Sequence, residues 1–291
     1  MLFREVSRGS AVITGAASGL GRAIAMQLAH AGWRLALVDL PAAISAGADD
    51  GPDRFAALIA TAREHGGDGV VVAFDVRDGA GWRGLHDRLR AEWPSLELLV
   101  NAAGVGATGE VGSLPETQWR RVVDTNLIGT ALGCETFLPW LRSHPRRSHV
   151  VNVASIAGIL APPSMAAYSA SKAGVIALSE AIAAECDRGR PGMTVVCPGF
   201  FRSGLLETWH FSSRVESREA HRRMRSARWS SERVARRVVR AVHRNRRYVV
   251  VGLRARWLWR LKRLAPRLTT ALVRRIYRRL GRRQSDGVGS S

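Results

Sequence analysis

The sequence predicts an α/β fold: a doubly wound parallel sheet of about seven strands between two helical layers, with a basic helical C-terminal extension. Three observations carry this. Short apolar runs rich in Val, Ile and Leu recur as far as residue 251, separated by stretches of helical periodicity. Each run is continuously apolar rather than alternating, the pattern of a strand covered on both faces. A glycine-rich turn, Thr14-Gly15-Ala16-Ala17-Ser18-Gly19-Leu20-Gly21, follows the first run and opens a helical pattern.

In order, the apolar runs place strands near 10–14, 35–39, 69–75, 97–101, 148–153, 193–197 and 247–251. Helical spacing places helices near 20–31, 54–65, 79–93, 116–143, 165–188 and 231–245. Strand–helix alternation with right-handed crossovers gives a three-layer sandwich. One domain is therefore expected over 1–252, and the residues 253–291 read as an extension without a fold of their own.

The formal net charge of +20 is not spread evenly. Residues 1–201 carry 18 Lys and Arg against 19 Asp and Glu, whereas residues 202–283 carry 26 against 4. The first two-thirds is electrostatically ordinary, and the excess belongs to the last third. The three cysteines, Cys134, Cys186 and Cys197, are widely spaced and read as core fillers in a reducing compartment, suggesting neither a disulfide framework nor a zinc site. The N-terminal stretch has no apolar leader core, and no apolar run approaches the ~18 residues of a spanning helix. A cytoplasmic protein is expected.

The glycine turn has the chemistry of a phosphate cradle. Gly15, Gly19 and Gly21 permit a tight turn and bring backbone N–H groups at Ser18, Gly19 and Leu20 toward a pyrophosphate at a helix N-terminus. Glycines that merely turn the chain are the plainer alternative. Asp39, 18 residues beyond Gly21, closes the second strand, where a carboxylate accepts hydrogen bonds from ribose hydroxyls and repels a 2′-phosphate. NAD is favoured over NADP on that ground, with Arg22 and Arg34 as the counter-evidence. Asp75 and Val76, ending the third strand, would lie beside an adenine edge. Asn101-Ala102-Ala103-Gly104, ending the fourth, would present small residues along the cofactor's path.

A second constellation supplies proton chemistry. Tyr168 and Lys172 are four residues apart, hence on one helix face, and Ser155 lies thirteen residues earlier. An ammonium beside a phenol would lower its pKa from about 10, giving a proton donor and acceptor suited to a carbonyl/alcohol redox reaction.

With these residues in place, the chain resembles the short-chain dehydrogenases/reductases over roughly 8–252. The resemblance rests on TGAASGLG at 14–21, Asp75, NAAG at 101–104, Asn126 in DTNLIG, Ser155 in NVAS, YSASK at 168–172 and Pro198-Gly199. It implies a Rossmann-like sheet carrying NAD(P) across its C-terminal edge, and a catalytic tetrad of Asn126, Ser155, Tyr168 and Lys172. It implies further cofactor contacts at Pro198, Gly199, Phe201 and Ser203, and a dimer or tetramer. In its terms Tyr168 exchanges the proton, Ser155 polarises the substrate oxygen, Lys172 also binds the nicotinamide ribose, and Asn126 holds a water. Two departures are conservative: Asn-Ala-Ala-Gly replaces Asn-Asn-Ala-Gly, and Ser203 replaces a threonine while keeping the hydroxyl.

After Pro198-Gly199, the aromatic and aliphatic residues Phe200, Phe201, Leu205, Leu206, Trp209 and Phe211 suggest the lining of a lipophilic substrate pocket. A lid packing these side chains on the core is the alternative. From 253 to 283, Trp257/Leu258, Leu261, Leu264, Leu268, Leu272, Ile276 and Leu280 fall at helical spacing among 12 Lys and Arg, without one acid, and Pro266 divides the run. Peripheral contact with an anionic membrane is the favoured reading. Subunit packing, nucleic-acid binding and a calmodulin-like partner helix stand beside it. An oxidoreductase acting on a lipophilic carbonyl or alcohol is the leading function. A nucleotide-binding scaffold working through the basic tail is the alternative.

Overall fold

Seven parallel strands form the central sheet of the computed structural model, which describes residues 8–49, 54–145, 147–186 and 189–285. The strands are β1 (Ser10–Thr14), β2 (Arg34–Asp39), β3 (Asp68–Ala73), β4 (Leu98–Asn101), β6 (His149–Val153), β7 (Gly192–Pro198) and β9 (Tyr248–Val251). Their order is β3-β2-β1-β4-β6-β7-β9, so the chain winds outward from β1 in both directions and reverses between β1 and β4. Ligands of such sheets bind at that reversal, beyond the carboxyl ends of the strands.

Continuous apolar runs form these strands because both faces are covered. Ala11, Ile13, Leu35 and Leu37 point into a core shared with α1 (Gly19–Ala29), α3 (Arg54–Glu64) and α10 (Ser231–His243). Their neighbours Val12, Ala36 and Val38 point the other way, against α4 (Gly79–Glu92), α6 (Gly129–Arg142) and α8 (Ala166–Glu185). Alternate residues thus feed separate cores. The three cysteines are buried and free, as expected.

Each expected strand is present. The third ends at Ala73, so Asp75 and Val76 lie in the loop beyond it rather than on the strand. The expected helix over 116–143 is interrupted: α5 (Glu116–Val123) passes through one wide turn, Asp124–Ile128, before α6 begins. There the N–H of Gly129 donates to the carbonyl of Asp124, five residues back. Such bulges cluster at functional sites, and this one carries Asn126. Three helices lie outside the expected set: α2 (Pro41–Asp49), α7 (Ala157–Leu160) and α9 (Arg214–Arg225). A two-stranded parallel pair, β5 (Ala107–Thr108) with β8 (His210–Phe211), lies outside it too.

Beyond β9 the chain turns at Gly252, whose φ of 100° favours glycine, into α11 (Leu253–Leu264) and then α12 (Pro266–Ser285). Pro266 divides the two, as its missing N–H and fixed φ dictate. Ile276 and Leu280 of the expected stripe lie outside the residues with described side chains. No described helix is long and apolar enough to cross a membrane.

Candidate active site

The glycine turn and the Tyr168 cluster meet at the carboxyl edge of the sheet, on either side of the β1/β4 reversal. Gly21 is required by proximity: a Cβ there would lie 2.2 Å from the carbonyl oxygen of Gly15. The turn is fastened from two sides. Asp39 accepts from the N–H of Ala17 at 2.8 Å, and the Thr14 hydroxyl accepts from the N–H groups of Ala102 and Ala103 at 3.0 and 3.1 Å. Thr14 therefore couples the ends of β1 and β4, a role the sequence reading overlooked although the residue opens the glycine motif.

The expected cofactor residues divide into two groups. Ser18 is exposed with its hydroxyl uncommitted to the helix, and the first-turn N–H groups of α1 begin at Gly19. A Cβ on Gly19 would meet only Ser203 Cβ, at 3.7 Å, and one on Gly199 only the Val251 carbonyl, at 3.9 Å. Protein packing leaves space above both glycines, and with the N–H donors this fits a dinucleotide lying along the edge. Ala102 and Gly104 border the same path.

The remaining members turn inward. Leu20 and Val76 are buried, and the Val76 carbonyl accepts from the Trp82 indole at 2.8 Å. Asn101 lies beneath the site, its amide donating to Asn152 at 2.9 Å, and Phe201 belongs to the main core. The side chains of these four are committed to packing, which leaves their backbone groups as the ones that would face a cofactor. Asp75 is engaged by Arg77 at 2.6 Å, which holds its carboxyl below the usual range. Of the two arginines weighed against Asp39, Arg34 opens β2 and so stands five residues, about 16 Å, from the edge. Arg22 stays on α1, half-buried.

Asn126, Ser155, Tyr168 and Lys172 converge. Tyr168 and Lys172 lie on one face of α8, and the Tyr168 hydroxyl is hydrogen-bonded to Ser155. The Lys172 ammonium donates to the Val153 carbonyl at 2.8 Å and sits 5.9 Å from the Tyr168 ring centre. Asn126 accepts from Val105 N–H at 2.9 Å and donates to the Val105 carbonyl at 2.9 Å and the Ser171 hydroxyl at 3.0 Å. Its side chain thus ties β4's following loop to α8. Gly104 makes the convergence possible, since a Cβ there would lie 3.1 Å from Asn126 Oδ1 and 3.3 Å from Lys172 Nζ.

The expected depression of the tyrosine pKa is absent. Burial pushes the Tyr168 phenol up to about 12, opposed in part by the Ser155 hydrogen bond, and brings Lys172 down to about 8. Tyr168 is accordingly a neutral hydroxyl near pH 7, the state of a proton donor.

Trp209 covers this cluster, its ring centre 4.8 Å from that of Tyr168, and it passes so close to Gly106 that no Cβ would fit. The β5–β8 pair holds it there, and Arg121 donates to the Thr208 carbonyl at 2.7 Å. Phe211 stacks on Trp209 at 6.2 Å, whereas Phe200 is turned outward beneath the Arg223 guanidinium. The expected apolar lining is therefore narrower than the sequence suggested, with Trp209 at its centre.

The profile of the short chain dehydrogenases matches residues 10–211. The chain belongs to the short-chain dehydrogenase family. A short chain dehydrogenase/reductase from Burkholderia phymatum, solved in complex with NAD, is 30% identical to this chain; the alignment covers 91% of this chain and 96% of that one, with a TM-score of 0.80. The 3-oxoacyl-[acyl-carrier-protein] reductase FabG of Staphylococcus aureus is 30% identical over 198 residues, 68% of this chain and 76% of its own. "Probable oxidoreductase EphD" of Mycobacterium tuberculosis is 32% identical over 199 residues, 68% of this chain. The chain spans about a third of EphD's length, 32%.

Proposed function

We propose that this short-chain dehydrogenase exchanges a hydride between NAD(H) and the carbonyl or secondary-alcohol carbon of a lipophilic substrate. The observation that carries the reading is the convergence of Ser155, Tyr168 and Lys172 beside the glycine turn, at the reversal of strand order. The nicotinamide, when bound, supplies or accepts the hydride. Tyr168 gives the substrate oxygen its proton, or takes it back in the reverse direction, and its neutral state near pH 7 suits the giving. Ser155 donates to that oxygen and polarises the carbonyl. Lys172, directed by the Val153 carbonyl, binds the nicotinamide ribose and stabilises charge developing on Tyr168. Asn126 acts as a positioning residue through Val105 and Ser171.

NAD is favoured over NADP because Asp39 stands at the ribose end of the path while Arg34 lies at the opposite edge. The NAD-bound relative supports a nicotinamide cofactor. Trp209 over Tyr168 favours flat or extended apolar substrates. The protein works as a homo-oligomer held peripherally at an anionic membrane through residues 253–283, and its compartment is the cytoplasm.

The test is consumption of NADH, followed by its absorbance, against a panel of ketones of increasing chain length. Tyr168→Phe should reduce turnover more than tenfold, above about 1.4 kcal/mol in barrier, and leave NADH binding nearly unchanged. A variant retaining more than about a tenth of the wild-type rate would remove Tyr168 from the proton-donor role.

A further inference from the structure

The tail is two-faced, and each face is assigned by its surroundings. On α11, Ala255 and Trp259 pack in a cluster with Ile156, Ile159 and Tyr248, the Trp259 ring 5.5 Å from that of Tyr248. Ile156 and Ile159 flank the start of α7, the helix next after Ser155. The opposite side carries Leu253, Trp257 and Leu264, which are 79%, 58% and 86% exposed and recur at intervals of four and seven residues. That spacing defines one helical face. Leu268, 59% exposed, continues the series in the first turn of α12.

Arg254, Arg260 and Arg267 are exposed among these side chains, and Arg263, also exposed, reaches over the Trp259 ring at 5.2 Å. Among the described residues, none of the ion pairs involves 253–275. A second copy of this chain is a poor occupant, because a two-fold contact would set arginine against arginine with no acid between 253 and 283 to relieve it. Nucleic acid would use the arginines but leave the leucines and Trp257 in water. An anionic bilayer satisfies both, taking the apolar side chains into its interface and the guanidiniums among its headgroups.

Topology then fixes where such a bilayer lies. Because every strand of the sheet is parallel, all carboxyl ends share one edge, and α11 leaves β9 at the edge that carries Asp39, Asn101 and Ser155. We infer that the outer face of α11 and the first turn of α12 docks on an anionic membrane, setting the catalytic edge beside the bilayer so that a membrane-dissolved carbonyl is the substrate. The delivery step rests on the oxidoreductase reading given above.

The experiment uses full-length protein and the double variant Leu264→Glu/Leu268→Glu, which alters only exposed positions. Wild type should sediment with phosphatidylglycerol vesicles at low salt, release at high salt, and ignore phosphatidylcholine vesicles. The variant should lose about tenfold or more in partitioning while keeping its native mass and its rate on a small water-soluble ketone. A long-chain ketone carried in phosphatidylglycerol vesicles should be reduced several-fold faster by wild type than by the variant. Docking is overturned if wild type ignores anionic vesicles at low salt, if the variant binds equally, or if the variant changes native mass, which would mark a subunit contact. Equal rates on the vesicle-borne ketone overturn delivery alone. If wild type turned over no ketone in any form, the oxidoreductase reading would fall and delivery with it, whereas salt-sensitive vesicle binding would still uphold the docking face.

Discussion

Replacing Lys172 by Met should make the fold more stable near neutral pH, although the residue belongs to the proposed catalytic machinery. Burial lowers the Lys172 pKa from its ordinary 10.5 to about 8, while the ammonium gains one hydrogen bond, to the Val153 carbonyl. A difference of that size corresponds to about 3 kcal/mol of destabilisation wherever both folded and unfolded chains carry the proton, that is, below about pH 8. Methionine has similar length and no charge to desolvate. Loss of the Val153 bond costs about 1 kcal/mol, leaving the variant ahead by about 2 kcal/mol at pH 7.

The pH dependence has a definite sign. The folded protein holds this proton less tightly than the unfolded chain, so between pH 8 and 10.5 the unfolded state binds more protons and wild-type stability rises with pH. The advantage of Lys172→Met should therefore shrink across that window and vanish or reverse by about pH 10.5. Urea unfolding followed by tryptophan fluorescence, at pH 7, 8.5 and 10 and one protein concentration, measures it, and the difference between the two proteins cancels titrations they share. A variant no more stable than wild type at pH 7, or a difference that does not change with pH, would refute the reasoning.

Two further outcomes follow from the same geometry. Asp39→Ser should move the kcat/KM ratio toward NADP(H), and it should also loosen the glycine turn, because the carboxylate accepts from Ala17 N–H at 2.8 Å; a measured NADP preference in wild type would mean that Arg22 outweighs Asp39. Trp209→Ala should raise kcat/KM for bulky ketones relative to small ones by opening the space 4.8 Å from the Tyr168 ring, at a stability cost of about 1–3 kcal/mol for a half-buried aromatic, and an unchanged ratio would remove Trp209 from the substrate pocket.

Glycine spacing, strand runs and the Tyr168–Lys172 interval were legible in the sequence because each is a local matter: a turn needs its glycines, a doubly covered strand needs its apolar run, and two residues four apart on a helix share a face. Division of the tail at Pro266 was legible for the same reason. Tertiary structure alone decided what these elements meet. Strand register turned Asn101 down toward Asn152, and core packing claimed Phe201 and Val76. The wide turn at Asp124–Ile128 gave Asn126 its partners in Val105 and Ser171, which are 21 and 45 residues away. Burial, a property of the assembled site, set Tyr168 and Lys172 against the shift that their spacing suggested. Which leucines of the tail face outward was likewise settled by the surface that α11 packs upon, since helical periodicity defines a face but not its neighbour.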